Sequence, residues 1–432
     1  MYIRSVNNAT RIGSLRVRGR YLLIFLCLFL LIRPAYFGTI DQLDYLFSYG
    51  KALVSGIAVC LYIASQLKDK AKDTPFFLLL SLLAVVVVSA IANQQEITDT
   101  ADWVSMIGIV AIIGISLRSD PYSFLKPVRL LLELYLYINL VTIIMFPDGL
   151  YLTLLREGGY YSEGYDAGYY GACWFLGYKN PIARIAIPAL CISVLCDYKS
   201  KGTITIRTWA LFLVAFSQAA MVLTTNGIVF IALMLLLTVL QFGLNRLKSL
   251  TLHHYLSIAV VFFIVIVVVG AQFGIIENIL HLFGKDATFV GRTYIWREAL
   301  ENFTTFPFLG IGTSYLTLTA AGAWSGWIAH PHNYILYILL KGGLLAFIIV
   351  AAVLIIASNN LKLHQYTKVA FILSAGIGVL LLIGMTESLT ETVLLYPLVY
   401  MGCHVSQYVD LPASLKNEST CGSKRVKYES RV

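Results

Sequence analysis

The chain has little charge. Of its 432 residues, 13% are Asp, Glu, Lys or Arg and 58% are hydrophobic, whereas soluble domains carry roughly 25% charged residues. So few charges cannot cover a water-facing surface, which excludes a soluble globular enzyme and leaves an integral membrane protein. Cysteine is also scarce. Seven are scattered along the chain, most inside apolar runs, and only Cys173 reads as external, so a disulfide framework is excluded. No basic block is long or interleaved with aromatics, so the net charge of +9 gives no reason to expect a nucleic-acid partner. No four-ligand metal spacing is present, nor any internal repeat. The first apolar run is too long for a signal peptide and lacks a small-residue cleavage site, so it reads as a signal anchor.

What the chain does have is apolar length, with a mean hydropathy of +0.77. A bilayer-spanning helix needs about 20 mostly apolar residues. Runs of that kind lie near 21–37, 46–67, 76–92, 103–117, 128–146, 182–196, 206–223, 227–242, 255–273, 334–356, 367–384 and 392–409. The pattern predicts an all-α polytopic membrane protein of about 12 transmembrane helices, with one integral membrane domain over 1–411 and a basic cytoplasmic tail over 412–432. Most of the lysines and arginines fall in alternate connections, such as Arg16 to Arg20, Lys68 to Lys72, Lys199 to Arg207 and Lys424 to Arg431. The bias of Lys and Arg toward cytoplasmic loops then places both termini in the cytoplasm, in the cell (cytoplasmic) membrane. Acidic connections such as Glu96 to Asp102 face outward. The positive balance suits an anionic inner leaflet, so membrane lipid is an expected partner.

Two outer connections are long, 147–181 and 276–332; long loops in compact folds are usually functional or disordered. The first carries Tyr160, Tyr161, Tyr165, Tyr169, Tyr170, Trp174 and Tyr178 among glycines, with Glu157, Glu163 and Asp166. These aromatics would either stack on sugars or form an interfacial belt. The second loop is the extracytoplasmic segment before the tenth apolar run. Ile295, Trp296, Ala299, Leu300 and Phe303 recur at helical spacing, which predicts an amphipathic helix lying on the outer surface. Arg292 is expected at its start, where free backbone N–H groups and the dipole favour an anion, and Arg forks onto phosphate oxygens. Arg297 is the second candidate. The ordinary alternatives are an Arg297–Glu301 pair at i, i+4 and contact of Arg292 with lipid phosphate.

The same loop ends in His330-Pro331-His332-Asn333. Asn333 is a good N-cap and Pro331 stiffens the chain before it. His332 then sits at the positive end of the tenth apolar helix, where the field favours the neutral imidazole that a general base needs. Two alternatives stand beside this reading: His330 and His332 as metal ligands, without a recognisable third, and His332 as a simple cap.

The order Gly291-Arg292-x-x-x-Trp296, then Pro307-x-x-Gly310-x-Gly312, then His332-Asn333-x-x-Leu336 before Gly342-Gly343 resembles the O-antigen ligase and polymerase family, including Wzy-type polymerases. The resemblance covers 291–343. It implies about a dozen spans with a large outer loop before the tenth or so. It also implies transfer of glycan from a polyprenyl diphosphate at the outer membrane face, with neither nucleotide sugar nor essential metal and no cofactor. The chain departs from the family in two places. Relatives often carry an arginine in the tight hairpin that here reads Thr224-Thr225-Asn226-Gly227, which leaves Arg184 as a substitute phosphate ligand. Relatives often have an acidic residue near the glycine pair, where this chain has Lys341. At 1.5 Å per residue, Lys341 lies about 12 Å down its helix from Asn333. It would either bridge to Glu387 or Glu391 or touch substrate.

Together these point to a polymerase of a cell-surface polysaccharide (O-antigen, capsule or exopolysaccharide) that joins undecaprenyl-diphosphate-linked oligosaccharide repeats. His332 would be the base; Arg292, Arg297 and Arg184 would hold the diphosphate; His330, Asn333 and Lys341 would assist. Direct displacement would invert the anomeric centre. A chain-length regulator and a flippase are the expected protein partners. Rival readings are a ligase with another acceptor and, in another class, a flippase for the same lipid. A flippase should carry charge within its spans; here the charge gathers in one outer loop.

Overall fold

The computed structural model describes residues 19–70, 72–95, 100–156, 169–243, 250–270, 288–313, 315–317, 328–387, 389 and 394–409. Its elements are helices α1 (Gly19–Leu31), α2 (Asp41–Asp69), α3 (Thr74–Ala92), α4 (Ala101–Leu117) and α5 (Leu125–Met145), then a hairpin of β1 (Tyr151–Arg156) and β2 (Tyr169–Cys173). There follow α6 (Pro181–Lys201), α7 (Ile206–Met221), α8 (Thr225–Thr238), α9 (Leu252–Phe262) and α10 (Thr288–Thr305), a two-residue pair β3 (Leu316–Thr317) and β4 (Ile328–Ala329), then α11 (Tyr334–Leu363), α12 (Lys368–Ile383) and α13 (Leu395–Cys403). Both strand pairs are antiparallel. The protein is a mostly helical membrane protein with two small hairpins.

Local chemistry sets several helix boundaries. Asp73 caps α3, accepting from Phe76 N at 3.2 Å, and Pro75 occupies the first turn, where a missing N–H does no harm. Thr367 caps α12, accepting from Ala370 N at 3.2 Å. Asn333 caps α11, its side-chain oxygen accepting from Ile335 N and Leu336 N at 3.0 and 3.1 Å, as its place in the sequence predicts. In lipid, helices gain little from burying apolar surface against one another, so close packing of small residues carries the association. The centre is α6, with 83% of its apolar window buried, whereas the Leu252–Val269 segment, at 17%, faces outward. Around α6 lie α5, α7, α8 and α12, while α2 packs on α4 and α3 on α11.

Each of the twelve apolar runs contains a helix. Among the described residues, seven helices are long and apolar enough to cross a membrane; α1, α4, α7 and α12 are shorter apolar helices, and α13 has nine residues, about 14 Å at 1.5 Å each. The expected amphipathic helix exists but starts earlier and sits differently. It begins at Thr288, so Arg292 stands a turn inside it and not at its free N–H end. Its apolar face is covered by protein: Trp296 and Ala299 are fully buried with Val267, Leu316, Leu336 and Leu340. The tail over 412–432, Glu391, and Tyr160, Tyr161, Tyr165, Glu157, Glu163 and Asp166 of the first outer loop lie outside the described residues.

One interlock fixes the geometry of α11. The helix breaks at Gly343, whose φ of 63° is left-handed. A Cβ there would stand 2.3 Å from the carbonyl carbon and oxygen of Phe308, so only glycine fits. The Pro307-to-Gly312 turn occupies the break: Leu344 N donates to Pro307 O at 2.8 Å, and Ile311 N and Gly312 N donate to Leu340 O at 2.8 and 3.2 Å. Backbone groups freed by the kink are thereby satisfied, as apolar surroundings demand. The two glycine motifs of the sequence are the two halves of this joint.

Candidate functional site

The joint, α10 and the α11 cap converge at one end of the bundle. Trp296 Nε1 donates to Pro331 O at 2.8 Å, so the tryptophan of the first motif holds the histidine turn of the third. His332 follows with φ +45°, a left-handed conformation uncommon for a residue with a Cβ. Asn333 also donates through Nδ2 to Met385 O at 3.1 Å. That ties the turn to the 384–387 connection after α12, which presents Glu387.

Glu387 is the hub. Its Oε2 stands 3.4 Å from His332 Nδ1. Its Oε1 is 3.3 Å from Arg292 Nη2 and accepts from Asn226 Nδ2 at 3.1 Å and Asn180 Nδ2 at 3.4 Å. Arg292 anchors the same connection through a 2.8 Å bond from Nη1 to Thr386 O. Four separate segments therefore meet on one carboxylate that is 5% exposed. Burial alone would raise its affinity for a proton, but the His332 contact and the charges of His332, Arg292 and Arg184 outweigh it and hold the carboxyl below its usual range. The sequence offered Glu387 as one of two carboxylates that Lys341 could bridge, beside contact with substrate; among the described residues the ion-pair partners of Glu387 are Arg292 and His332. The Asn226 turn, read as a missing phosphate cation, supplies a donor to this hub.

The remaining candidates separate. Arg184, in the first turn of α6 and buried, is near enough for its charge to act on both His330 and Glu387. Arg297 is five residues beyond Arg292, roughly 140° around the helix, and lies over the Tyr294 ring at 5.7 Å and not at the Glu387 hub. Among the described residues, the alternative Arg297–Glu301 pair does not form. Lys341 is buried in α11, and its charge acts on His330. The His330 ring is stacked on Tyr337 at 5.7 Å and lies 5.8 Å from the His332 ring. Its Nδ1 accepts from His332 N at 3.2 Å. Burial, then the charges of His332, Arg184 and Lys341, push the His330 imidazole down to about 3, so it is neutral at neutral pH. Among the described residues, no group of three or more His, Cys, Asp or Glu side chains is arranged to hold a metal. In the 147–181 connection, Trp174 is buried and donates from Nε1 to Phe146 O at 2.8 Å, so it braces the fold and has no free face for a sugar.

His332 is 38% exposed at the side chain, yet its Nδ1 is fully buried on the Glu387 side. The accessible part of the ring is therefore elsewhere. A carboxylate facing Nδ1 favours the tautomer with the proton on Nδ1, which leaves Nε2 as the proton acceptor. An imidazole oriented by a buried carboxylate is an arrangement that hydrolytic and transfer enzymes use to build a general base.

The opposite end of the bundle carries two other polar clusters. Arg129 donates to Glu133 at 2.8 Å, Asp197 at 2.7 Å and Thr208 at 3.1 Å. Asp197 also accepts from Thr205 N and Thr208 Oγ1, both at 2.7 Å, and Glu133 is closed by Arg207. Beside the α2–α3 turn, Asp73 takes the hydroxyls of Tyr62 and Tyr400 and lies 3.3 Å from His404 Nε2. Despite burial, these contacts pull Asp73 down to about 2.

Comparison with known proteins gives two matches. Residues 209–351 match the family described as O-antigen ligase. A stretch of 94 residues is 30% identical to the exopolysaccharide production protein ExoQ of Rhizobium meliloti (strain 1021), covering 19% of this chain and 22% of that protein. No solved structure matches. The family match contains Arg292, Arg297, His330, His332, Asn333 and Lys341 but stops before Glu387 and starts after Arg184.

Proposed function

We propose, for a chain whose 209–351 segment matches the family described as O-antigen ligase, that it polymerises a cell-surface polysaccharide from undecaprenyl-diphosphate-linked repeats on the outer face of the cytoplasmic membrane. The name of the exopolysaccharide relative favours a polymer product. The observation that carries the reading is the His332–Glu387–Arg292 arrangement: a half-exposed imidazole oriented by a buried carboxylate, beside a guanidinium.

In this reading His332 Nε2 takes the proton of the acceptor sugar hydroxyl. The hydroxyl oxygen bonds to the anomeric carbon of the donor glycan as that carbon's bond to the diphosphate oxygen breaks, with inversion. The electron pair leaves with the diphosphate, whose growing charge Arg292 and Arg184 stabilise. Glu387 holds the imidazole and compensates the imidazolium that forms. The proton then passes to solvent. The 3.4 Å spacing between His332 and Glu387 is long for a hydrogen bond. Such contacts tighten when substrate seats.

The test is reconstitution. Purified protein in lipid nanodiscs, given one lipid-linked repeat, should release undecaprenyl diphosphate and build a ladder of products. Diphosphate release with a single transfer to a different acceptor, and no ladder, would replace the polymerase by a ligase. No transfer in either format would refute the enzyme reading.

A further inference from the structure

The peptide group between Pro331 and His332 is pinned at both ends. Its carbonyl accepts from Trp296 Nε1 at 2.8 Å, and its N–H donates to His330 Nδ1 at 3.2 Å. Beyond His332 the chain is fixed again, because Asn333 caps α11 and donates to Met385 O. The backbone torsions of His332 lie between these anchors, and φ is left-handed at +45°. A residue with a Cβ keeps that conformation where its surroundings over-determine it. Released, the turn would relax toward ordinary backbone and carry the ring away from Glu387, which stands 3.4 Å off.

The His330 side chain is fitted to one of these bonds. A neutral imidazole has one acceptor nitrogen. With Nδ1 accepting, the proton sits on Nε2, which is buried and, among the described residues, has no hydrogen-bond partner. A buried N–H left unmade is destabilising. A residue serving only to fill space would carry no such group: phenylalanine offers the same stack on Tyr337, 5.7 Å between ring centres, without it. What phenylalanine lacks is the acceptor. The stack in turn aims the ring. Tyr337 lies parallel to Trp103 of α4, with 7° between the planes and 6.2 Å between centres, and its hydroxyl accepts from Trp103 Nε1 at 3.2 Å. Both residues are buried, so a column from α4 through α11 backs His330.

We infer that His330 is a positioning residue: its Nδ1 holds the His332 backbone in the left-handed turn that aims the His332 ring at Glu387, and Tyr337 and Trp103 hold the His330 ring for that bond. Trp296 is the other half of the clamp. One nitrogen of His330 is spent on the backbone and the other is buried, so neither is presented to a substrate proton. That the aimed ring is a catalytic base rests on the polymerase reading; the clamp itself does not.

A backbone-holding role and a space-filling role rank two substitutions in opposite order. Asn carries its Oδ1 as many bonds from Cβ as His carries Nδ1, and ahead of a proline it accepts readily from the N–H two residues on. His330→Asn therefore keeps the clamp and loses the stack; His330→Phe keeps the stack and loses the acceptor. In nanodiscs with one lipid-linked repeat, His330→Phe should lower the maximal rate of polymer formation about tenfold, the small end of removing a group that orients a functional ligand. The half-saturating substrate concentration should change little. His330→Asn should stay within about threefold of wild type, the scale of one lost ring contact, despite a lower thermal unfolding midpoint. Wild-type rates from His330→Phe with a larger loss in His330→Asn would overturn the inference. If the midpoint of His330→Phe also falls, His330→Leu, smaller and equally without an acceptor, takes its place and should show the same tenfold loss.

A readout that needs no reaction is solid-state NMR of nitrogen-labelled histidine in the whole protein. The His332 ring signals, identified by their loss in His332→Gln, should shift in His330→Phe and hold in His330→Asn. That pattern in a protein that forms no polymer would refute the polymerase reading and leave the clamp standing. Polymer formed at the wild-type rate by His330→Phe, with the His332 signals unmoved, would do the reverse.

Discussion

The two ends of the helix bundle handle buried charge in opposite ways. At one end Arg129, Glu133, Asp197, Thr205, Arg207 and Thr208 close on one another, with bonds of 2.7–3.1 Å linking the ends of α5, α6 and α7. Arg129, Glu133 and Asp197 are each less than a tenth exposed. At the other end Glu387 draws in Arg292, His332, Asn180 and Asn226 at 3.1–3.4 Å, Lys51 reaches Asp102 at 3.3 Å, and the backbone of His332 is held left-handed. A saturated network resists change and joins helices. A loosened one, held in place by its surroundings, has contacts to spare for a ligand. The difference teaches where to look for function in a chain this apolar: the polar groups that matter for chemistry are those whose partners stand too far away.

The sharpest way to break that contrast is to neutralise one residue at each end. His332→Gln keeps size and some hydrogen bonding but accepts no proton, so polymer formation should fall by roughly 10²- to 10⁴-fold, the usual contribution of a general base, with protein level in the membrane near normal. His332→Ala should match it. Wild-type rates from His332→Gln would demote His332 to a positioning role. At the saturated end Asp197→Asn should do the opposite. It leaves the buried Arg129 with Glu133 alone, a carboxylate that Arg207 also claims, a loss of about 1–3 kcal/mol of stability, read as a lower unfolding midpoint and less protein in the membrane. Activity per folded molecule should hold. A catalytic defect in well-folded Asp197→Asn would end the division between the two ends.

The parts of the site that are contiguous in sequence were legible there. Asn333 is an N-cap because its side chain can reach the first free N–H groups of the helix it precedes, and that is a local property. The glycines at 310, 312 and 343 stood in the sequence only as motif positions; that they form one tight joint shows in the packing. Arg297 could have been separated from Arg292 by helical period alone. Arg292 was set at the helix start because the apolar spacing was counted from Thr293, whereas the helix already runs from Thr288, near the cap-type residues Asp286 and Thr288. Glu387, Asn180 and Asn226 were of another kind. Asn180 immediately precedes α6, Asn226 lies in the first turn of α8 and Glu387 follows α12, and only the packing of those helices brings the two amides to one carboxylate. The two acidic residues of the last hairpin, Glu387 and Glu391, were the available signal, and Glu387 pairs with His332 and Arg292 because the α11 cap presents His332 to the 384–387 turn.

A smaller effect is expected from Glu387→Gln, which sharpens the comparison by loosening the hub without removing the base. The amide still packs and can bond Arg292 poorly, but it no longer fixes the imidazole or balances its charge. Changes in a group that orients a functional ligand typically cost about 10–100-fold, so polymer formation should drop by that much and remain above His332→Gln. The loss should appear in the maximal rate more than in the half-saturating substrate concentration. Equal loss in Glu387→Gln and His332→Gln would mean the carboxylate touches substrate itself.

The smallest effect concerns His330, which sits at the open end yet behaves like a core residue. Burial and the charges of His332, Arg184 and Lys341 push it down to about 3 from an ordinary 6.5. Between those values the unfolded chain binds a proton at this position that the folded protein refuses. Stability contributed by His330 is therefore fully present above about pH 6.5 and declines as the pH falls toward 3, with a slope of at most about 1.4 kcal/mol per pH unit for one proton. Thermal unfolding of wild type in nanodiscs, followed from pH 7.5 to 5, should show the midpoint falling on the acid side. His330→Gln carries no titrating group and should flatten that decline while starting from a lower midpoint at pH 7.5, because its amide replaces a ring stacked on Tyr337. Asp73, held near 2 at the far end, adds no slope in this window, since its loss comes only as the pH falls below about 3.8. An acid-side decline of equal steepness in wild type and His330→Gln would show that the proton is taken up elsewhere.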